Sequence, residues 1–289
     1  MVRVNALTRS PPPRVGELCL RRRLRQHPCD ACAQACPGAA ITLRPDGASL
    51  DSERCVRCGR CLFSCPVAAL ENLAPPPRYL RDNVLVAPLS AVAPSVEELL
   101  MWHREHAVRA VEMDMDRHPG WALAVAALNL RLRRLGEPCW TRIAPDTATH
   151  SGWRWRRGPS AATTTASVSP GRRARRRCFA EQAEWQPEID ERACTLCGAC
   201  ARVCPEGALR MDAGTLEIAP GNCTGCQSCV VVCIVQAMVL EPGADVSPRR
   251  RHWYTARCQH CHQPFRAWQP DAPVCPLCQH HVQGMRTAR

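Results

Sequence analysis

Seven cysteines occur twice in this chain, in the same order and at the same spacing. Cys29, Cys32, Cys36, Cys55, Cys58, Cys61 and Cys65 return as Cys197, Cys200, Cys204, Cys223, Cys226, Cys229 and Cys233, each 168 positions further on. Their flanks return with them: Pro37-Gly38-Ala39-Ala40-Ile41 answers Pro205-Glu206-Gly207-Ala208-Leu209, and Leu50 answers Ile218. A fixed period of this kind marks one supersecondary unit used twice. The 22 cysteines of the 289-residue chain fall mostly in C-x2-C steps. That is the arithmetic of metal sites rather than of a secreted disulfide scaffold, and it implies reduced thiols in an intracellular compartment.

The second copy opens on Cys194, so residues 194–205 complete the run C-x2-C-x2-C-x3-C-P, whereas the first copy has Gln26 in the leading position. On these cysteines both copies resemble bacterial-type two-cluster ferredoxins, over about residues 19 to 70 and 190 to 240. The resemblance implies two 4Fe-4S clusters in each copy, with the last cysteine of each run serving the other run's cluster. It assigns Cys194, Cys197, Cys200 and Cys233 to one cluster and Cys223, Cys226, Cys229 and Cys204 to its neighbour. In the first copy it assigns Cys55, Cys58, Cys61 and Cys36 to a complete site and leaves Cys29, Cys32 and Cys65 one ligand short.

Cys19 is the expected fourth ligand, because the nine residues Leu20 to Pro28 form a loop able to return a thiolate to that corner. His27 through its imidazole, a three-iron cluster, or an idle Cys19 thiol are the alternatives. Ile234 follows Cys233 where the other runs have proline, which should alter the turn without removing the ligand. Arg57 and Arg60 lie among the ligands of the Cys55 site, where the second copy has only uncharged residues, Thr224, Gly225, Gln227 and Ser228; positive charge favours the reduced cluster and should raise its potential.

Near the C-terminus, Cys258-x2-Cys261 and Cys275-x2-Cys278 form two thiolate knuckles that resemble a zinc ribbon or a rubredoxin-like module. Zinc and iron both accept four thiolates in a tetrahedron. Rubredoxin-like knuckles carry glycine after the second cysteine; His262 and Gln279 stand there instead, which favours zinc over a rubredoxin-type iron. His260, His262, His280 and His281 are read as solvated, and Cys139 and Cys178 as idle thiols.

The expected architecture is α+β. Two ferredoxin-like modules (15–73 and 185–242) flank a small α/β insert (83–145), followed by a flexible Arg/Ser/Thr-rich linker (146–184), and a zinc-ribbon or rubredoxin-like module (253–283) ends the chain. Within the insert, the pattern predicts strands at Val84 to Leu89 and Val108 to Met113 and helices at Val96 to Glu105 and Trp121 to Leu135. Asp114, Asp116 and His118 read as helix-capping residues rather than a metal site.

All 38 basic residues are arginine and the formal charge is +12. Four cluster sites and one four-thiolate metal site, each carrying about −2, would bring that to about +2, so the formal charge alone does not argue for nucleic acid; what remains is uneven charge, with arginine runs at Arg21 to Arg25, Arg154 to Arg157 and Arg172 to Arg177. No catalytic constellation or nucleotide loop is present in the sequence, so the expectation is an electron-transfer carrier or subunit for an oxidoreductase. A respiratory enzyme such as a formate dehydrogenase is the expected partner. An iron-sulfur redox sensor or an accessory or maturation factor, binding nucleic acid or a partner enzyme through the zinc ribbon and the insert, is the alternative. With no apolar run of about 20 residues and no export signal, the chain is expected to be cytoplasmic.

Overall fold

The computed structural model describes residues 11–145 and 162–279, which divide into two compact units at Cys178/Phe179. Both have mixed α+β character.

The first unit begins with β1 (Arg14–Val15), α1 (Leu20–Arg23) and α2 (Ala31–Gln34). The hairpin β2 (Ile41–Arg44) and β3 (Gly47–Leu50) follows, then α3 (Arg60–Ser64) and β4 (Leu70–Glu71). β4 returns antiparallel to β1, pairing Leu70 with Val15, so the module's two ends are tied together. The helices are only one turn long. Their cysteines interrupt any long apolar face, so the module depends on what its thiols hold more than on helix propensity.

The insert is built on β5 (Arg78–Arg81), β6 (Val84–Val86), α4 (Val96–Glu105), β7 (Ala110–Glu112), α5 (Pro119–Arg134) and β8 (Thr141–Ile143). β6, β7 and β8 run parallel, each linked to the next through a helix. Leu99, Met101, Trp102, Val111, Leu128 and Leu132 are fully buried between helices and sheet. Ser95 caps α4, its Oγ accepting the Glu98 amide at 3.2 Å. The Glu98 carboxylate then turns inward to meet Arg78 at 2.5 Å.

The expected linker needs correction. Residues 146–161 lie outside the described residues, but β9 (Thr164–Ala166) pairs antiparallel with β5 as an edge of the same sheet, in the order β8-β7-β6-β5-β9. Helix α6 (Arg172–Cys178) follows directly. The β-branched threonines suit an edge strand, and β5 supplies the hydrogen-bonding partner that composition alone cannot reveal. The sheet therefore extends past the expected 83–145 limits at both ends. Arg172 Nε donates to the Ser64 carbonyl at 3.1 Å, and Arg175 and Arg176 are buried, so this arginine run is packed against the protein rather than solvated.

The second unit repeats the ferredoxin-like plan. β10 (Trp185–Ile189), α7 (Ala199–Val203), the hairpin β11 (Leu209–Asp212) and β12 (Thr215–Ile218), α8 (Ser228–Val231) and β13 (Met238–Pro242) follow in order. β13 returns to β10 over five residue pairs, and Leu209, Ile218, Cys229 and Met238 form the core beneath. Gly214, at φ +80°, takes the left-handed position in the two-residue turn between β11 and β12. β14 (Arg249–His252) adds a third strand on β12, and the hairpin β15 (Tyr254–Arg257) and β16 (Pro264–Ala267) carries the C-terminal cysteines. Residues 280–283 of that expected module, His280 and His281 among them, lie outside the described residues.

Candidate metal centres

The fourteen cysteines of the two repeats, with Cys19 and Cys194, fall into four groups of electrostatic neighbours. Cys29 and Cys32 both feel Cys65 and Cys19. Cys61 feels Cys58, Cys36 and Cys55. Cys200 feels Cys194, Cys197 and Cys233. Cys229 feels Cys226, Cys223 and Cys204 first, and Cys200 after them. In every case the last cysteine of one run joins the other run's group. Within each run a one-turn helix holding the preceding cysteine ends just ahead of the last one, which sets that last cysteine apart from the others of its run.

Three groups line apolar hollows. Ile41 and Leu50 share the hollow of Cys36, Cys55, Cys58 and Cys61. Met211 and Leu216 share that of Cys194, Cys197, Cys200 and Cys233, and Leu209 and Leu240 that of Cys204, Cys223, Cys226 and Cys229. Burial, reinforced by the neighbouring sulfurs, pushes the Cys32, Cys61 and Cys229 thiols up to about 12. Burial raises Cys200 to about 11, against the pull of the Ala201 amide. Four sulfurs facing one dry hollow cannot all ionise unless positive charge joins them, which is what an iron-sulfur core provides.

Backbone amides point at the sulfurs. Ala40, Ala69 and Ala237 donate to Cys36, Cys65 and Cys233 at 3.3, 3.3 and 3.2 Å, each from four positions along the chain. The turn after Cys233 keeps this bond despite Ile234, whose side chain is left in solvent. Leu196 donates to Cys194 at 3.4 Å. Amides aimed at sulfur suit thiolates, so the donor sets fit 4Fe-4S clusters.

Cys19 is 9% exposed and joins Cys29, Cys32 and Cys65. The loop between Cys19 and Cys29 is closed by Arg21, whose Nε donates to the Cys29 carbonyl at 2.6 Å and whose Nη2 donates to that of Pro28 at 3.3 Å. Sequence reasoning missed this fastener; the only trace was a position two residues after Cys19 in an arginine run. His27 is buried, and its Nδ1 accepts the Cys29 amide at 3.1 Å. That nitrogen orients the loop and is not offered to a metal.

At the C-terminus, the sulfurs of Cys258, Cys261, Cys275 and Cys278 all lie within 4.8 Å of one another. The Cys275 amide donates to Cys258 Sγ at 3.4 Å, and this bond, with a second from Cys261, brings the Cys258 thiol down to about 5. Hydrogen bonds to its neighbours' sulfurs, Cys275 first, push Cys278 up to about 12. Such a set holds one tetrahedral ion. His262 takes the left-handed conformation (φ 56°) at the knuckle, and it and His260 are exposed.

The remaining candidates do local work. Asp114 Oδ1 accepts the Asp116 amide at 2.9 Å and that of Arg117 at 3.4 Å, and His118 caps α5 ahead of Pro119. Cys139 faces the Asn129 carbonyl, and Cys178 lies 3.9 Å from Glu105.

Known proteins agree with this geometry where they align. Residues 27–69 and 186–234 each match a 4Fe-4S dicluster domain. The chain holds two such domains, and these imply four 4Fe-4S clusters. The first match begins after Cys19, so that residue lies outside it. Electron transport protein HydN of Escherichia coli (strain K12) is 30% identical over 83 residues, 26% of this chain and 45% of HydN. The formate dehydrogenase iron-sulfur subunit of Wolinella succinogenes is 49% identical over 45 residues, 15% of this chain and 22% of that subunit. The putative oxidoreductase UacF of Escherichia coli (strain K12) is 38% identical over 47 residues, 16% of this chain and 7% of UacF. The chain thus spans less than half the length of each of these curated relatives. No helix among the described residues is long and apolar enough to cross a membrane.

Proposed function

We propose that this chain is an iron-sulfur electron-transfer protein that serves a partner oxidoreductase. The observation that carries the reading is the gathering of Cys19, outside the repeat, beside Cys29, Cys32 and Cys65, which turns three complete sets of four thiols into four. The ligand sets are then Cys19, Cys29, Cys32 and Cys65; Cys36, Cys55, Cys58 and Cys61; Cys194, Cys197, Cys200 and Cys233; and Cys204, Cys223, Cys226 and Cys229. A 4Fe-4S cluster, when bound, supplies one-electron chemistry. The chain's own residues hold it in a dry hollow and aim amides at its ligands. The relatives' printed roles, electron transport and formate dehydrogenase, favour a dehydrogenase-type partner.

For the C-terminal site we infer zinc, in a structural role. The four sulfurs converge as a tetrahedral ion requires, and His262 replaces the glycine of rubredoxin-like knuckles. Some of the arginines are engaged within the protein, which weighs against the nucleic-acid alternative. Arg249, Arg250 and Arg251 pair with Glu188, Glu217 and Glu191, and Arg175 and Arg176 are buried.

Anaerobic preparation followed by iron, sulfide and zinc counting tests the proposal. About sixteen irons and sixteen sulfides per chain are expected, from four cubes of four, with one zinc. Colourless protein holding zinc alone would overturn it.

A further inference from the structure

The C-terminal module has no slack. β14 pairs with β12 of the second ferredoxin-like module, the Trp253 amide donates to the Gly214 carbonyl at 3.0 Å, and β15 starts at the next residue. The module's hairpin is therefore fastened beside the hollow of Cys194, Cys197, Cys200 and Cys233. Two side chains at the end of β16 reach towards that hollow.

Arg266 lies over the Trp253 ring, 5.0 Å from its centroid. Its Nη1 donates to the Leu196 carbonyl at 3.4 Å and sits 4.0 Å from Met211 Sδ. Leu196 stands between Cys194 and Cys197, its own amide donating to Cys194 Sγ, and both Leu196 and Met211 line the hollow. Trp268 Nε1 is buried and makes no hydrogen bond of ordinary geometry. The indole stands one residue beyond β16, two positions on from Arg266, and is near enough to Cys194 to act on its sulfur. A buried donor without an acceptor is costly. A thiolate or sulfide of a filled site is the acceptor that its position offers.

The first repeat contains a parallel. Pro28, 168 positions before Leu196, offers its carbonyl to Arg21 Nη2 at 3.3 Å. The same backbone position thus receives a guanidinium in both modules. In the first it comes from adjacent α1, and in the second from the C-terminal module more than sixty residues away.

We propose that the four-cysteine C-terminal module regulates the Cys194–Cys197–Cys200–Cys233 cluster, Trp268 supplying an N–H to its sulfurs and Arg266 a nearby positive charge. The metal held by Cys258, Cys261, Cys275 and Cys278 keeps both in place. This rests on the iron-sulfur reading above. Donors and cations beside a cluster favour its reduced, more negative state, so the module raises that cluster's potential.

The test is an EPR-monitored redox titration of the full chain, with iron, sulfide and zinc counted on each sample. Trp268→Phe keeps the ring and removes the N–H. One of the four midpoints should move to lower potential, with the other three and all metal counts unchanged. Arg266→Gln, at an exposed position, should move the same midpoint in the same direction. Cys261→Ser should release the zinc and shift that midpoint further than either. Four unmoved midpoints in Trp268→Phe and Arg266→Gln, at full iron content, would overturn the inference. Loss of zinc from Cys261→Ser with no change in any midpoint would overturn it too. Wild-type protein without iron would instead remove the electron-transfer reading beneath it.

Discussion

Trp140 donates its indole N–H to Nδ1 of His103 across 3.0 Å, which fixes the tautomer of a buried imidazole. The proton then sits on Nε2, facing Glu137 at 3.2 Å. Burial holds His103 below its ordinary pKa, outweighing the opposing hydrogen bond to Glu137. The unfolded chain therefore binds this proton at a higher pH than the folded one does. Stability from His103 is fully present above about pH 6.5, the unfolded value, and falls as pH drops below it. Glu137, held below its usual range by the His103 hydrogen bond first and Arg104 second, adds a loss at lower pH, as pH falls through its folded value. Thermal unfolding across pH 4 to 8 should show the insert weakening in two stages. Trp140→Phe frees Nδ1 for a proton and should flatten the upper stage; an unchanged slope would count against the assigned tautomer.

Arg78 and Glu98 form an ion pair 2.5 Å apart, and both are almost wholly buried. Ser90 Oγ accepts from Arg78, and the Trp102 indole donates to Glu98 at 3.4 Å. Removing either partner strands a charge, so Arg78→Met or Glu98→Leu should cost about 3–5 kcal/mol of insert stability. The double substitution should cost clearly less than the two singles together. Denaturant unfolding in a double-mutant cycle measures the difference.

Cys19→Ser should remove one cluster, about four irons and four sulfides per chain, while the signals of the other three persist. Arg21→Gln leaves the ligand but loosens the loop that brings it round; it should keep the iron when fresh and lose it faster on exposure to chelator. An unaltered four-cluster spectrum in Cys19→Ser would exclude that thiol as a ligand.

Arg60 is the first residue of α3, with its Nε buried, and Arg57 sits in the turn between Cys55 and Cys58 with φ 52°. Replacing both by glutamine should lower the potential of the Cys36–Cys55–Cys58–Cys61 cluster. The other three should stay where they are in the same EPR titration.

Much of the candidate site could be read in advance because a C-x2-C-x2-C run is local chemistry. Three thiols two residues apart meet at one corner whatever the rest of the chain does, and the 168-residue repeat carried that reading from one module to the other. The insert's helices were legible for a similar reason: apolar residues at helical spacing, opened by Ser95 and closed near Gly136, constrain each helix from within. Cys19 could be singled out from the gap in the first run, whereas the bonds from Arg21 to Pro28 and Cys29 that close its loop had no signature of their own.

Other features had no local signature. The threonines of β9 become a strand because β5 leaves an edge to pair with, and Arg175 and Arg176 of α6 are buried because packed surface receives their stems. Arg266 reaches the Leu196 carbonyl beside Cys194 because β14, docked on β12, holds the C-terminal hairpin there. Spacing along a chain dictates what neighbouring residues can hold together. Edge pairing and burial depend on partners that only folding brings near, which is why the cysteine runs were written in the sequence and the groups around them were not.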